Sequence, residues 1–166
     1  MSFDHLVMYQ EEFQRLEEAL KRLRQEANAR AVFLIDKNGQ QIAASGETWE
    51  FDTTSLASLT AGNVAATDGL AKLIGEREFS VLFHEGQRDH IHISIVAKRA
   101  ILLVIFDERS SLGLVRLRVK KASQELSDVF ARIMSKVEKE KAAAGSAFES
   151  PFAEITDEDI DSLFSE

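Results

Sequence analysis

The chain has 166 residues, 45% of them hydrophobic, with a net charge of −8 and no cysteine. Such a composition suits one globular domain of about 100–150 residues with an extension, and it excludes a disulfide framework and any thiolate metal site or nucleophile. No apolar run nears the roughly 18 residues of a membrane span, and MSFDHLVMYQEEF lacks the basic-then-apolar layout of a signal peptide.

Charge is unevenly spread. Seven acids and no Lys or Arg fall between Ser146 and Glu166, so that segment carries −7 and residues 1–145 sum to about −1. A near-neutral body and an acidic tail do not suit nucleic acid, whose phosphates need clustered cations. A chain without cysteine is at home in a reducing cytoplasm.

In chain order, Tyr9 to Asn28 carries Phe13, Leu16, Leu20 and Leu23 at helical spacing, an amphipathic helix. Arg30 to Asp36 is a continuous apolar run, as expected of a strand covered on both faces. Asp36-Lys37-Asn38-Gly39 contains Asn-Gly, a strong hairpin signal, and Gln40 to Ser45 returns as a second strand. Gly46 to Phe51 is a loop with the only tryptophan, Trp49. Asp52, Thr53 or Thr54 can cap a second helix running to Gly75.

That helix carries two stripes. Leu56, Leu59, Asn63, Ala66, Leu70 and Leu73 alternate at three and four, which predicts its core face. Ala57, Ala61, Ala65 and Gly69 recur at steps of four, with Ser58 and Gly62 beside them. Small residues admit a close backbone, and each helical glycine costs about 1 kcal/mol against alanine. The small stripe is therefore read as a docking surface, for a second copy, another protein, or both.

Phe79 to His84 and Ile91 to Val96 alternate as strands around a polar turn, Glu85 to Asp89. Lys98-Arg99 turn the chain into Ala100 to Phe106, the second all-apolar strand. Ser110 or Ser111 opens a long helix to about Lys141, with Leu112, Val115, Val119, Leu126, Phe130, Ile133 and Val137 inward. Ala142 to Ser150 is small and polar, a linker. The order α-β-β-α-β-β-β-α places the two apolar strands side by side at the centre, giving a five-stranded antiparallel sheet in order 2-1-5-4-3. The first and last helices cover one face and the middle helix the other.

Chemical motifs are sparse. Neither a phosphate loop nor a dinucleotide glycine pattern is present, so no nucleotide cofactor is expected. His90 and His92 share one strand face, but two ligands do not close a metal site; no metal is expected and the pair is read as a solvated edge. Asp107, Glu108 and Arg109 read as a cap and surface ion pair. Arg116, Arg118, Lys120 and Lys121 form a basic cluster, either a solvated face or a contact for an acidic partner such as the chain's own tail. In that tail, Thr156 precedes an acidic first turn, and Ile160, Leu163 and Phe164 share one helix face. With Phe152 and Ile155 they read as a motif that folds on binding.

Several segments together carry a family resemblance: LVMYQEEF, VFLIDKNGQ, DTTSLASLTAGNVAA with GLAKLIGE, VIFDERSSLGLVRLRVKKAS and SPFAEITDEDIDSLF. On these the chain resembles the Roadblock/dynein light chain superfamily, in its bacterial branch that regulates a small Ras-like GTPase of the MglA type. The resemblance implies a Roadblock/profilin-like αββαβββα domain over residues 1–141, a linker over 142–150 and an acidic amphipathic tail over 151–166. It implies a cytoplasmic homodimer, placed at a cell pole through its partners, that activates GTP hydrolysis in a polarity and gliding-motility system and has no catalytic site of its own. Middle helices pair, third strands extend the sheet across the dimer, and the GTPase docks on the helical layer. Ala57, Ala61, Ala65 and Gly69, with Asp68 and Lys72 as polar neighbours, are the implied contact surface. The tail residues Phe152, Ile155, Ile160, Leu163 and Phe164 are implied to reach a second patch and influence nucleotide exchange. The family reorders the GTPase's own Arg and Gln rather than donating a finger; on spacing alone Arg77, Arg88 and Arg109 stay open as fingers.

The alternative is a Roadblock scaffold that tethers partners without changing hydrolysis. A small-molecule sensor of related architecture would need a polar constellation under the sheet, and the sequence offers none.

Overall fold

The structure, a computed structural model, describes residues 9–147. Its elements are α1 (Gln10–Glu26), β1 (Ala31–Asp36), β2 (Gln41–Gly46), a single 3-10 turn (Thr48–Glu50), α2 (Thr53–Leu73), β3 (Val81–Glu85), β4 (His90–Val96), β5 (Ala100–Phe106) and α3 (Leu112–Ala147). The chain divides after Phe130: the sheet, α1, α2 and the first part of α3 form one compact unit, and the rest of α3 begins the second.

All strand pairs are antiparallel, in the order β2-β1-β5-β4-β3. The apolar strands β1 and β5 sit centrally because both faces of each are covered, and nearly every residue in them is buried. One face packs Phe33, Ile35, Ile93, Ile101, Leu103 and Ile105 against Ala57, Ala61 and Val64 of α2. The alternate residues Val32, Leu34, Leu102 and Val104 are equally buried on the other face. There α1 contributes Leu16, Leu20 and Leu23, and α3 contributes Val115, Val119 and Leu126. Arg22 to Glu125 at 2.5 Å and Arg118 to Glu26 at 3.7 Å tie α1 to α3.

The turns follow from local chemistry. Asp36 accepts from the backbone N–H groups of Asn38 and Gln40, both at 2.9 Å. Of Asn38 and Gly39, the glycine alone is left-handed, with φ 90°, so the turn is not the mirror-type turn that Asn-Gly most often forms. The β4–β5 turn is instead of that mirror type, with Ala97 at φ 54° and Lys98 at φ 58°. Asp52 caps α2, its side chain accepting from the Ser55 N–H at 3.2 Å. Ser111 Oγ accepts from the Leu114 N–H at 3.2 Å at the start of α3.

One boundary needs correction. The helix continues through Ala147, so the stretch from Ala142 to Ala147, expected as linker, is helical. Its alanines carry no apolar repeat for a core but have high helix propensity. Phe152, Ile155, Ile160, Leu163 and Phe164 lie outside the described residues.

Candidate interaction surface on the middle helix

The two stripes of α2 face opposite to expectation. Ala57 and Ala61 are 3% and 8% exposed and pack on the sheet, whereas Leu59, Leu70 and Leu73 are 73%, 60% and 83% exposed. Ile74, just past the helix, is exposed as well. The core face is Ala57, Thr60, Ala61, Val64 and Ala71. Leu56 is half-buried against the core, and Ala66 is exposed. Expecting the larger residues to be inside failed because α2 lies close to the β1–β2 hairpin. A Cβ built on Gly39 would stand 3.2 Å from the Ser58 Cα and 3.5 Å from the Ala61 Cβ. The small stripe does admit another backbone, but at Ala57 and Ala61 that backbone is the chain's own hairpin. Those two side chains are not available at the surface of the protomer.

The remaining expected contact residues form the flank of α2. Ala65, Gly69 and Lys72 are exposed. Asp68 is half-buried, and with Lys37, Ala61, Val64, Ala65 and Ile101 it lines a small cavity of about 50 Å³. A side chain at Gly62 or Gly69 would meet nothing within 4 Å. Packing among the described residues therefore gives neither glycine a reason, although each weakens the helix by about 1 kcal/mol relative to alanine.

Beside the leucine ridge runs β3, an edge strand whose outer backbone groups have no neighbouring strand among the described residues. Asn63 of α2 reaches it, with its Nδ2 3.1 Å from His84 Nε2. The ridge and the open strand edge thus adjoin on one side of the molecule. Isolated exposed leucines are ordinary, but Leu70, Leu73 and Ile74 together at the end of α2, with Leu59 three turns earlier on the same face, beside an open edge mark an interaction surface.

Elsewhere, the other candidates resolve differently. His92 is 1% exposed, not a solvated edge, because β4 lies inside the sheet and its even-numbered residues face α3. Burial, with the charge of Arg116 adding to it, holds its imidazole below the ordinary value. His90 packs its ring at a tilt against Phe106 at 5.2 Å and Phe83 at 6.1 Å. Arg109 is held by Asp107 at 3.0 Å and approaches Glu47 at 3.6 Å. Its guanidinium holds both the Asp107 and Glu47 carboxyls below their usual range; for Glu47 the hydrogen bond from Arg30 is the larger cause. Arg77 and Arg88 are exposed. Arg118 and Lys121 pair with Glu26. No group of three His, Asp or Glu suited to a metal ion occurs among the described residues, and no helix among them is long and apolar enough to cross a membrane.

One residue the sequence did not single out organises the base of the sheet. Arg30 bonds Glu47 and Asp89, each at 2.9 Å, and also Glu50, and lies over the Phe51 ring at 5.2 Å. These partners come from separate segments, and no local pattern announces them.

Known proteins share this fold. The Roadblock/LC7 domain family matches over residues 15–106. Among solved structures, Myxococcus xanthus MglB is 59% identical, with 72% of this chain and 90% of that chain covered and a TM-score of 0.71. The gliding protein MglB from Thermus thermophilus is 36% identical, with coverages of 71% and 90% and a TM-score of 0.68. An MglB with a tetrameric arrangement is 35% identical, with coverages of 71% and 89% and a TM-score of 0.67. Comparison with curated protein sequences gave no match.

Proposed function

The chain belongs to the Roadblock/LC7 domain family, in its MglB branch, and on that premise we propose that it is a homodimeric activator of a small Ras-like GTPase of the MglA type. The observation that carries the reading is the outward face of α2. A ridge of exposed leucines, two glycines with open space above them and an open strand edge adjoin in one surface.

The division of labour follows from the side chains. Leu59, Leu70, Leu73 and Ile74 offer apolar area, which suits permanent pairing of two copies with β3 extending the sheet. The flank with Ala65, Gly69, Asp68 and Lys72 is small and carries both signs of charge, which suits a partner that docks and leaves. The GTPase performs phosphoryl transfer, and this protein selects the loop arrangement competent for it. The tail, through Phe152, Ile155, Ile160, Leu163 and Phe164, reaches a second patch on the GTPase and acts on affinity or exchange.

The flank is tested with Gly69→Arg and Ala65→Arg. Both positions are exposed, so the fold should survive, as read by circular dichroism, while stimulation of GTP hydrolysis is lost. Normal stimulation by either variant removes the flank from the docking surface. Removal of residues 150–166 should change affinity or exchange more than the hydrolysis step; unchanged binding and exchange would leave the tail without this role.

A further inference from the structure

Between the β3–β4 side of the sheet and α3 lies a cavity of about 440 Å³, within the range of about 300–1,000 Å³ typical of small-molecule sites. Its origin is the two-residue period of β4. That period turns His92 and Ser94 toward α3, where their strand neighbours Val104 and Leu102 on β5 are apolar. His92 Nδ1 and Ser94 Oγ are enclosed and have no hydrogen-bond partner among the described residues. Buried polar atoms are expensive to leave unpaired, and two of them line one cavity.

The opposite wall comes from α3. Arg116 and Lys120 line the cavity, four residues apart and so on one side of the helix. Their neighbours Arg118 and Lys121 are engaged by Glu26. Among the described residues no acidic side chain lines the cavity, and Val81 and Val119 supply apolar wall. Two cations therefore line one space with no acidic side chain beside them among the described residues, and an unpartnered hydroxyl and imidazole nitrogen lie enclosed in the wall beneath it.

We propose that this cavity binds a small anionic ligand with an apolar body, a carboxylate or a phosphate monoester. Arg116 and Lys120 take its charge, Ser94 Oγ and His92 Nδ1 donate to its oxygens, and Val81 and Val119 cover its carbon chain. The guanidinium fork of Arg116 matches either head group. The site lies on the face of the sheet opposite α2, so it is separate from the proposed GTPase surface and does not depend on that reading.

The test is an NMR titration of the full-length protein with hexanoate, hexyl phosphate and hexanol at matched ionic strength. Hexanoate or hexyl phosphate should give saturable shifts at the His92 and Ser94 amides, with hexanol about tenfold weaker or worse. Arg116→Gln and Lys120→Gln, both at solvent-accessible positions of the cavity wall, should each weaken the anion about tenfold with unchanged melting temperature. No saturable shift up to about 10 mM, an equal response to hexanol, or binding indifferent to both substitutions would overturn the proposal.

Discussion

Truncating the leucine ridge separates folding from association. Leu73 is 83% exposed and Leu70 60%, so neither can contribute much to the protomer's own core. Full burial of a leucine side chain is worth about 1.5–3 kcal/mol, so about 1–2 kcal/mol per residue is still to be gained on assembly. In a two-fold pair each position acts twice. Leu73→Ala is therefore expected to weaken the dimer by about 2–4 kcal/mol, or about 30- to 1,000-fold in dissociation constant. The stability of the isolated protomer should change by no more than about 0.5 kcal/mol, because the site is exposed and alanine is a good helix former. Sedimentation velocity over a concentration series reads the first quantity, and urea denaturation below the dissociation constant reads the second. A Leu73→Ala protein with unaltered association, or one that loses protomer stability while still pairing normally, would refute the assignment of this ridge.

Other substitutions probe the packing beneath that surface. Gly39→Ala places a side chain at φ 90° and 3.2 Å from the Ser58 backbone, so it should cost about 1–3 kcal/mol, visible as a lowered urea midpoint. Asp52→Ala removes the cap that accepts from Ser55 N at 3.2 Å and Ser55 Oγ at 2.7 Å, a loss of about 1 kcal/mol measurable by thermal melting. His92 sets a pH dependence: its folded value is depressed below 6.5, so the unfolded chain takes up the proton first. Its contribution is complete above that unfolded value and is lost as pH falls through 6.5 toward the folded value. Denaturation midpoints of wild type and His92→Asn, followed from about pH 8 to about pH 5, should diverge over that window, and parallel curves would show that His92 is not held neutral by burial.

The sheet was legible because its two central strands announce themselves. Ala31–Asp36 and Ala100–Phe106 have no polar face, so each must be covered on both sides, and the short hairpins then fix the remaining order. The helix starts at Asp52 and Ser111 were legible to within a residue or two because a cap acts on its own neighbours, whereas the type of the turn after Asp36 was not. The orientation of α2 was not. Periodicity finds stripes but not which one points inward, and an alanine stripe can be the buried one wherever a hairpin such as Gly39 approaches closely. The same limit hid Arg30, whose partners Glu47, Glu50 and Asp89 stand 17, 20 and 59 residues away. The cavity under the sheet was missed for a related reason. His92 and Ser94 are ordinary strand residues until α3 brings Arg116 and Lys120 over them, a pairing that only the fold creates. The polar constellation that the sequence did not offer thus assembles in three dimensions.

The most direct test of the central claim is single-turnover GTP hydrolysis by the cognate MglA-type GTPase, with and without this protein. The account expects acceleration of at least about tenfold, equivalent to about 1.4 kcal/mol off the barrier. Tight binding with no acceleration would contradict activation and leave a scaffold; no binding in either nucleotide state would contradict the partner itself.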